Sequence, residues 1–112
     1  KVVIQLADTT AFANANLGEI EVLMKETVAK HNYMELLAYV DSRGIPKVAT
    51  VDVTKADDVS HRDYFKAAMK GDFFLTEPYI STDTDDFCIT AAAPVRDASG
   101  SITGILLADI KL

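Results

Sequence analysis

The hydrophobic pattern of the first 31 residues is typical of a helix. Apolar residues recur at steps of three, four or seven, and the segment has no proline and one glycine, Gly18. This spacing predicts a single helix over residues 1–31, about 45 Å long, with an apolar stripe close to a coiled-coil seam. Such a helix would project from a compact domain as a stalk or pack on a second subunit. A break near Thr9 and Thr10, or at Gly18, would instead lay both halves on the core.

After Asn32 the pattern changes to short apolar runs that are typical of β-strands. We predict five strands, at residues 36–40, 48–53, 73–75, 87–95 and 102–110. The turns at 41–44 and 97–100 carry the Asp, Ser and Gly residues that hairpin turns favour, and Gly44 can supply a positive φ. The last two runs are apolar on both faces, which places them at the centre of an antiparallel sheet.

A short helix is predicted over residues 61–70. Ser60 opens an S-x-x-D capping box at its start, and Gly71 is well placed to end it. Residues 76–86 are predicted to be a polar loop. The order of elements predicts an α+β fold, a PAS-like central antiparallel sheet with a long N-terminal helix and short flanking helices. We expect one domain over residues 1–112, with the sheet part at residues 33–112.

Composition narrows the possible functions. The 112 residues carry a net charge of −6, and their scattered basic residues form no stripe, so no nucleic-acid partner is expected. The two histidines stand apart and the one cysteine, Cys88, lies in an apolar run, so we expect no metal site and no cofactor. The acidic cluster Asp83, Asp85 and Asp86 lacks the glycine and glutamate of a calcium loop. Without a nucleophile–base pair or nucleotide motif, we expect no enzyme.

An arginine and two aromatic residues at the start of the short helix form the leading candidate site. Arg62 carries a planar guanidinium that can bind a carboxylate through two parallel hydrogen bonds. Tyr64 and Phe65 can exclude water around such a pair, although either can equally be a core residue. The alternative for Arg62 is a solvated side chain, or an ion pair with Asp57 or Asp58.

Asp109 is the second candidate. It alternates with Ile105 and Leu107 on one face of the last predicted strand, where a carboxylate is costly unless it is paired. Its partner could be Arg62 or a nearby lysine. It could also be the amine of a ligand, or Asp109 could orient Arg62.

Four segments in this order resemble the Cache family: residues 62–65, 76–81, 89–95 and 104–110. The resemblance covers about residues 20–112 and is strongest from His61 onward. Cache domains are PAS-like sensor modules of bacterial chemoreceptors, histidine kinases and diguanylate cyclases. The resemblance implies an extracytoplasmic, periplasmic domain of a membrane-anchored inner-membrane signalling receptor. It also implies a homodimer formed through the N-terminal helix.

Cache domains that bind amino acids carry an R-x-W-Y motif, a Y-x-D motif and a distant Asp. Arg62, Tyr79 and Asp109 match this pattern, which implies that Arg62 holds a ligand carboxylate. Three positions depart from it, because Tyr64, Phe65 and Ser81 replace the Trp, the Tyr and the first Asp. The candidate ligand-binding residues are therefore His61, Arg62, Tyr64, Phe65, Tyr79, Ser81 and Asp109.

These departures weaken the part of the motif that holds the ligand amine. They favour a small carboxylate without an amine, such as acetate, propionate or pyruvate, as the ligand. Two alternatives stay open. One is a Cache sensor that binds an amino acid, and the other is a PAS-like dimerisation module whose pocket is empty.

Overall fold

A computed structural model describes residues 2–51, 57–80 and 87–112. The described helices are α1 Val2–Ala7, α2 Thr10–Ala13, α3 Leu17–Lys30 and α4 Asp63–Met69. The described strands are β1 Met34–Asp41, β2 Pro46–Ala49, β3 Phe74–Leu75, β4 Tyr79–Ile80, β5 Phe87–Arg96 and β6 Ile102–Lys111.

The strands form one antiparallel sheet in the order β2-β1-β6-β5-β3, and β4 pairs with a different part of β5. This architecture confirms the predicted α+β fold, and the long hairpin of β5 and β6 is central as expected. The second strand, predicted over 48–53, is observed at Pro46–Ala49, and residues 52 and 53 lie outside the described part of the chain. Strand β4 lies in the segment that was predicted to be a loop.

The prediction of one continuous helix over residues 1–31 is wrong. The first break follows Ala7, where the Thr9 hydroxyl and backbone N–H both donate to the carbonyl of Leu6, at 2.9 and 3.1 Å. A side chain that hydrogen-bonds the preceding turn competes with the helical pattern. This break is the one that the alternative interpretation placed near Thr9 and Thr10.

The second break lies at Asn14–Asn16 rather than at Gly18, which is inside α3. Ala15 adopts a positive φ of 51°. Its N–H bonds Phe12 and the N–H of Asn16 bonds Ala11, which together form the Schellman ending of a helix. The Asn16 side chain then accepts from the N–H of Glu19 and starts α3.

The sheet separates two hydrophobic cores. The helices α1, α2 and α3 cover one face, where Phe12 packs edge-on against Tyr39 with ring centroids 5.9 Å apart. Helix α4 covers part of the other face through Phe65 and Ala68, which pack with residues of β1, β5 and β6. Because the three N-terminal helices lie on the sheet, the described residues contain no projecting stalk.

Helix α4 begins at Asp63, with Arg62 at its N-cap position, and the Arg62 side chain makes no capping hydrogen bond. The predicted capping box at Ser60 is therefore wrong, because the Ser60 N–H is bonded to Asp58 Oδ1 at 2.7 Å in a turn before the helix. Gly71 ends the helix as predicted, with a φ of +100°.

Gly44 also adopts the predicted positive φ, +88°, and it has a second role. Its carbonyl accepts from the N–H of Val59, and the turn packs directly against Ser60. The β1–β2 hairpin therefore fixes the segment that leads into α4 and Arg62.

Candidate functional site

A cavity of about 670 Å³ lies between α4, the β3–β4 segment and the part of the sheet that α4 leaves uncovered. We call it the α4 pocket. Its walls are His61, Arg62, Asp63, Tyr64, Phe74, Thr76, Glu77, Tyr79, Thr90, Leu107 and Asp109. Its volume is within the range of about 300–1,000 Å³ that is usual for small-molecule sites.

The α4 pocket brings together most of the residues that the sequence proposed for ligand binding: His61, Arg62, Tyr64, Tyr79 and Asp109. Phe65 is not among its walls. That side chain is 7% exposed and packs in the core beneath α4, because it points from the helix toward the sheet. Ser81 lies outside the described residues, as does the acidic cluster at 83–86.

Arg62 supplies the cationic wall. Its side chain is exposed at the start of α4, and it takes part in neither ion pair of the described residues, which join Lys25 to Glu21 and Arg43 to Asp41. The predicted alternatives of an ion pair with Asp57 or Asp58 are therefore not observed. A guanidinium in this position can bind an incoming carboxylate.

Tyr64 lies close enough to Arg62 and to Asp109 for the charge of each to act on its hydroxyl. Burial is the main cause that raises the pKa of its hydroxyl; the positive charge of Arg62 opposes the rise, and the negative charge of Asp109 adds to it. Opposite charges therefore act on one ring within the same pocket.

Asp109 supplies an anionic wall, and the sheet register determines its position. It lies opposite Thr90 in the pairing of β5 with β6, and its Oδ1 accepts a hydrogen bond of 2.9 Å from the Thr90 hydroxyl. The same hydroxyl contacts the Tyr79 hydroxyl at 2.5 Å. The three side chains therefore form a continuous hydrogen-bonded chain along one wall of the pocket.

Strand β4 positions Tyr79. Its backbone pairs with Cys88 of β5, so the hydroxyl reaches Thr90 while the side chain remains 39% exposed. Burial is the main cause that raises the pKa of Tyr79 far above its usual value, with smaller contributions from Cys88 and Asp109. The phenol is therefore protonated at neutral pH.

Several residues of the pocket were missed by the sequence reasoning: Asp63, Phe74, Thr76, Glu77, Thr90 and Leu107. Only Thr90 offered a usable signal. It is a hydroxyl in a strand predicted to be apolar on both faces, and a buried hydroxyl needs a partner. Its partner across the strands could not be read from local pattern, because it depends on the register of β5 against β6.

No group of three or more metal-binding side chains occurs within residues 2–51, 57–80 and 87–112. In those same ranges, no helix combines the length and the apolar character that crossing a membrane requires.

An antiparallel sheet flanked by helices, with a cavity of small-molecule size on one face, is the architecture of the PAS-like class. Residues 6–112 match the family described as methyl-accepting chemotaxis protein-like, first PDC sensor domain. The chain belongs to this family. This finding confirms the predicted relationship to Cache sensor domains.

Solved chemoreceptor domains share the fold. The ligand-binding domain of Pseudomonas fluorescens CtaA, in complex with L-serine, is 20% identical with a TM-score of 0.74 over 98% of this chain and 48% of that one. The ligand-binding domain of the Pseudomonas aeruginosa amino-acid chemoreceptor PctC, in complex with GABA, is 21% identical with a TM-score of 0.75 over 98% of this chain and 52% of that one.

The sensory domain of Campylobacter jejuni Tlp3, with isoleucine bound, is 20% identical with a TM-score of 0.71 over 96% and 43%. The chain thus spans about half the length of these solved domains. At this level of identity the likeness establishes the fold. A comparison with curated proteins found no match.

Proposed function

We propose that this domain senses a small amino acid, or a similar molecule that carries both a carboxylate and an ammonium group, in the α4 pocket. The observation that carries the proposal is that Arg62 and Asp109 line one cavity. A cation and an anion in the same pocket complement a zwitterion, because each end of the ligand meets the opposite charge.

Arg62 would bind the carboxylate. Its guanidinium provides the two-pronged geometry that a carboxylate accepts, and Tyr64 beside it lies partly buried. Once a bound ligand covers them, this guanidinium and hydroxyl would discriminate against ligands without a carboxylate, because the polar groups of the protein would then be left unpaired.

The acidic residues that line the pocket favour an amine. Asp63, Glu77 and Asp109 line the pocket together with Arg62, so carboxylates outnumber the guanidinium. A ligand with a carboxylate alone, such as acetate, propionate or pyruvate, would leave this excess negative charge unmatched. The complexes of CtaA, PctC and Tlp3 with L-serine, GABA and isoleucine agree with the amino-acid interpretation. We therefore prefer it to the amine-free carboxylate that the motif departures suggested.

The family also supports the setting that we propose. The domain would lie on the extracytoplasmic side of a membrane-anchored bacterial receptor and act by binding rather than by catalysis. A ligand that binds one arrangement of the domain more tightly than another would shift the receptor between signalling states. Homodimerisation through the N-terminal helices stays a prediction.

A matched ligand set tests the proposal. L-alanine carries both charged groups, propionate is alanine without the ammonium group, and ethylamine is alanine without the carboxylate. GABA, butyrate and propylamine form a second set, and the other common amino acids complete the panel. Thermal shift followed by calorimetric titration should show stabilisation that grows with concentration for at least one zwitterion, and little for its truncated analogues.

Arg62→Ala should abolish the response. Arg43→Ala is the matched control, because Arg43 lies in the β1–β2 turn with 78% of its side chain exposed and pairs with Asp41. Equal responses to propionate and L-alanine would instead favour the carboxylate interpretation. A flat response to the whole panel would favour the module with an empty pocket.

A further inference from the structure

Among the described residues, Thr90 is the polar residue that is buried, with 4% of its surface exposed. It lies in β5, opposite Asp109, where strands β5 and β6 form the base of the α4 pocket. A hydroxyl at a buried sheet position is costly unless its hydrogen bonds are made. Thr90 therefore needs an explanation that core packing does not provide.

Every polar group of Thr90 has a partner. Its backbone N–H donates to Thr76 Oγ1 and its carbonyl accepts from the Thr76 N–H, each at 2.9 Å. Its hydroxyl meets Asp109 Oδ1 at 2.9 Å and Tyr79 Oη at 2.5 Å. These bonds hold the β3–β4 segment, and with it Tyr79, against the sheet.

The direction of the side-chain bonds follows from the count of protons. A threonine hydroxyl has one proton, and an ionised carboxylate can only accept. Thr90 therefore gives its proton to Asp109, and Tyr79 must be the donor in its contact with Thr90. Since the phenol proton of Tyr79 is committed to Thr90, the lone pairs on its oxygen are what it can offer to a ligand.

We propose that Thr90 is a positioning residue that orients the Tyr79 hydroxyl as a hydrogen-bond acceptor and so selects a ligand that donates at this wall. Tyr79 and Asp109 then both present acceptors, which suits an ammonium group and opposes a carbonyl or a second carboxylate. The inference rests on the proposed function, because it assumes a ligand with an ammonium group. It makes Thr90, an uncharged residue, a determinant of the selectivity for that group.

Thr90→Val tests the proposal, because it keeps the β-branched shape and removes the hydroxyl. The Tyr79 proton would then be free to turn toward the ligand. Calorimetric titration should compare the amino acid that binds best in the panel with its 2-oxo counterpart, for example L-alanine with pyruvate. We expect the preference for the amino acid over the oxo acid to fall about tenfold or more, the effect of one hydrogen bond to a charged group.

Two further variants separate this role from a general structural one. Thr90→Ser keeps the hydroxyl and should restore the preference. Thr103→Val is the matched control, because the Thr103 hydroxyl on neighbouring β6 donates to the carbonyl of Val95 at 3.4 Å and Thr103 is not among the walls of the α4 pocket. It should leave the preference unchanged.

Each outcome has one meaning. An unchanged preference in folded Thr90→Val overturns this inference and leaves the proposed function standing. A wild-type domain that binds no member of the panel overturns the proposed function, and this inference with it. If Thr90→Val does not fold, Tyr79→Phe decides, because loss of an acceptor must weaken the amino acid more than its oxo counterpart. The opposite order would show that Tyr79 donates to the ligand.

Discussion

Gly44→Ala should damage the α4 pocket from a distance. Gly44 has a φ of +88°, which L-residues adopt at a cost of about 1–2 kcal/mol. A Cβ there would lie 2.6 Å from the Ser60 backbone nitrogen and 2.8 Å from its Cα. The Ser60 backbone would have to move by about 0.8 Å, from 2.6 Å to the 3.4 Å at which ordinary contact begins. Ser60 is two residues before Arg62, so this displacement should reach the candidate carboxylate-binding group.

Gly100→Ala is the matched control for this prediction. Gly100 has nearly the same φ, +89°, but a Cβ there would meet no atom within 4 Å. Urea denaturation should therefore show a loss of about 1–2 kcal/mol for Gly100→Ala, from backbone conformation alone.

Gly44→Ala should lose more stability than Gly100→Ala, because the clash with Ser60 adds to the cost of the backbone conformation. It should also weaken binding of the best amino acid about tenfold, which corresponds to about 1.4 kcal/mol, whereas Gly100→Ala should leave the affinity intact. Equal losses of stability and equal affinities in the two variants would refute the role given to the Gly44–Ser60 contact.

Three further predictions address the core, the helix break and pH. Phe65→Leu should lower the free energy of unfolding by about 1 kcal/mol but leave ligand affinity unchanged, because Phe65 packs behind the pocket. A large loss of affinity would show that Phe65 belongs to the binding site. Ala15→Gly should stabilise by about 0.5–1 kcal/mol, because glycine relieves the positive φ at the end of α2; destabilisation would contradict the Schellman ending. The pKa of Tyr79 is higher in the folded state than in the unfolded state, because the fold favours the protonated phenol. Its contribution to the free energy of unfolding is therefore complete below pH 10.0 and is lost as the pH rises further. Denaturation above that pH should show a shallower decline in Tyr79→Phe, and identical slopes would contradict the assignment.

The strands were largely predictable because their signals are local. The turn at 97–100 and the two-sided apolar runs predicted β5 and β6 to within a residue or two. The glycine at position 44 predicted the positive φ that is observed there. The family resemblance predicted that Arg62, Tyr79 and Asp109 belong to one ligand site, and all three line the α4 pocket.

The errors arose where tertiary structure decides between local alternatives. The apolar spacing of residues 1–31 is compatible with one helix, but the Thr9 hydroxyl and the turn at Ala15 divide it so that its parts can cover the sheet. Phe65 and Tyr64 are neighbours on α4, and only the direction of the helix decides which one faces the core. The role of Thr90 depends on a pairing with Asp109 across nineteen positions of sequence, which no local pattern records.

A crystal structure of the domain with its best-binding amino acid would show directly whether the α4 pocket is the ligand site. We predict that the ligand lies in the α4 pocket, with its carboxylate within hydrogen-bonding distance of Arg62 and its ammonium group toward Tyr79 and Asp109. A ligand bound in the opposite orientation, or outside this pocket, would contradict it.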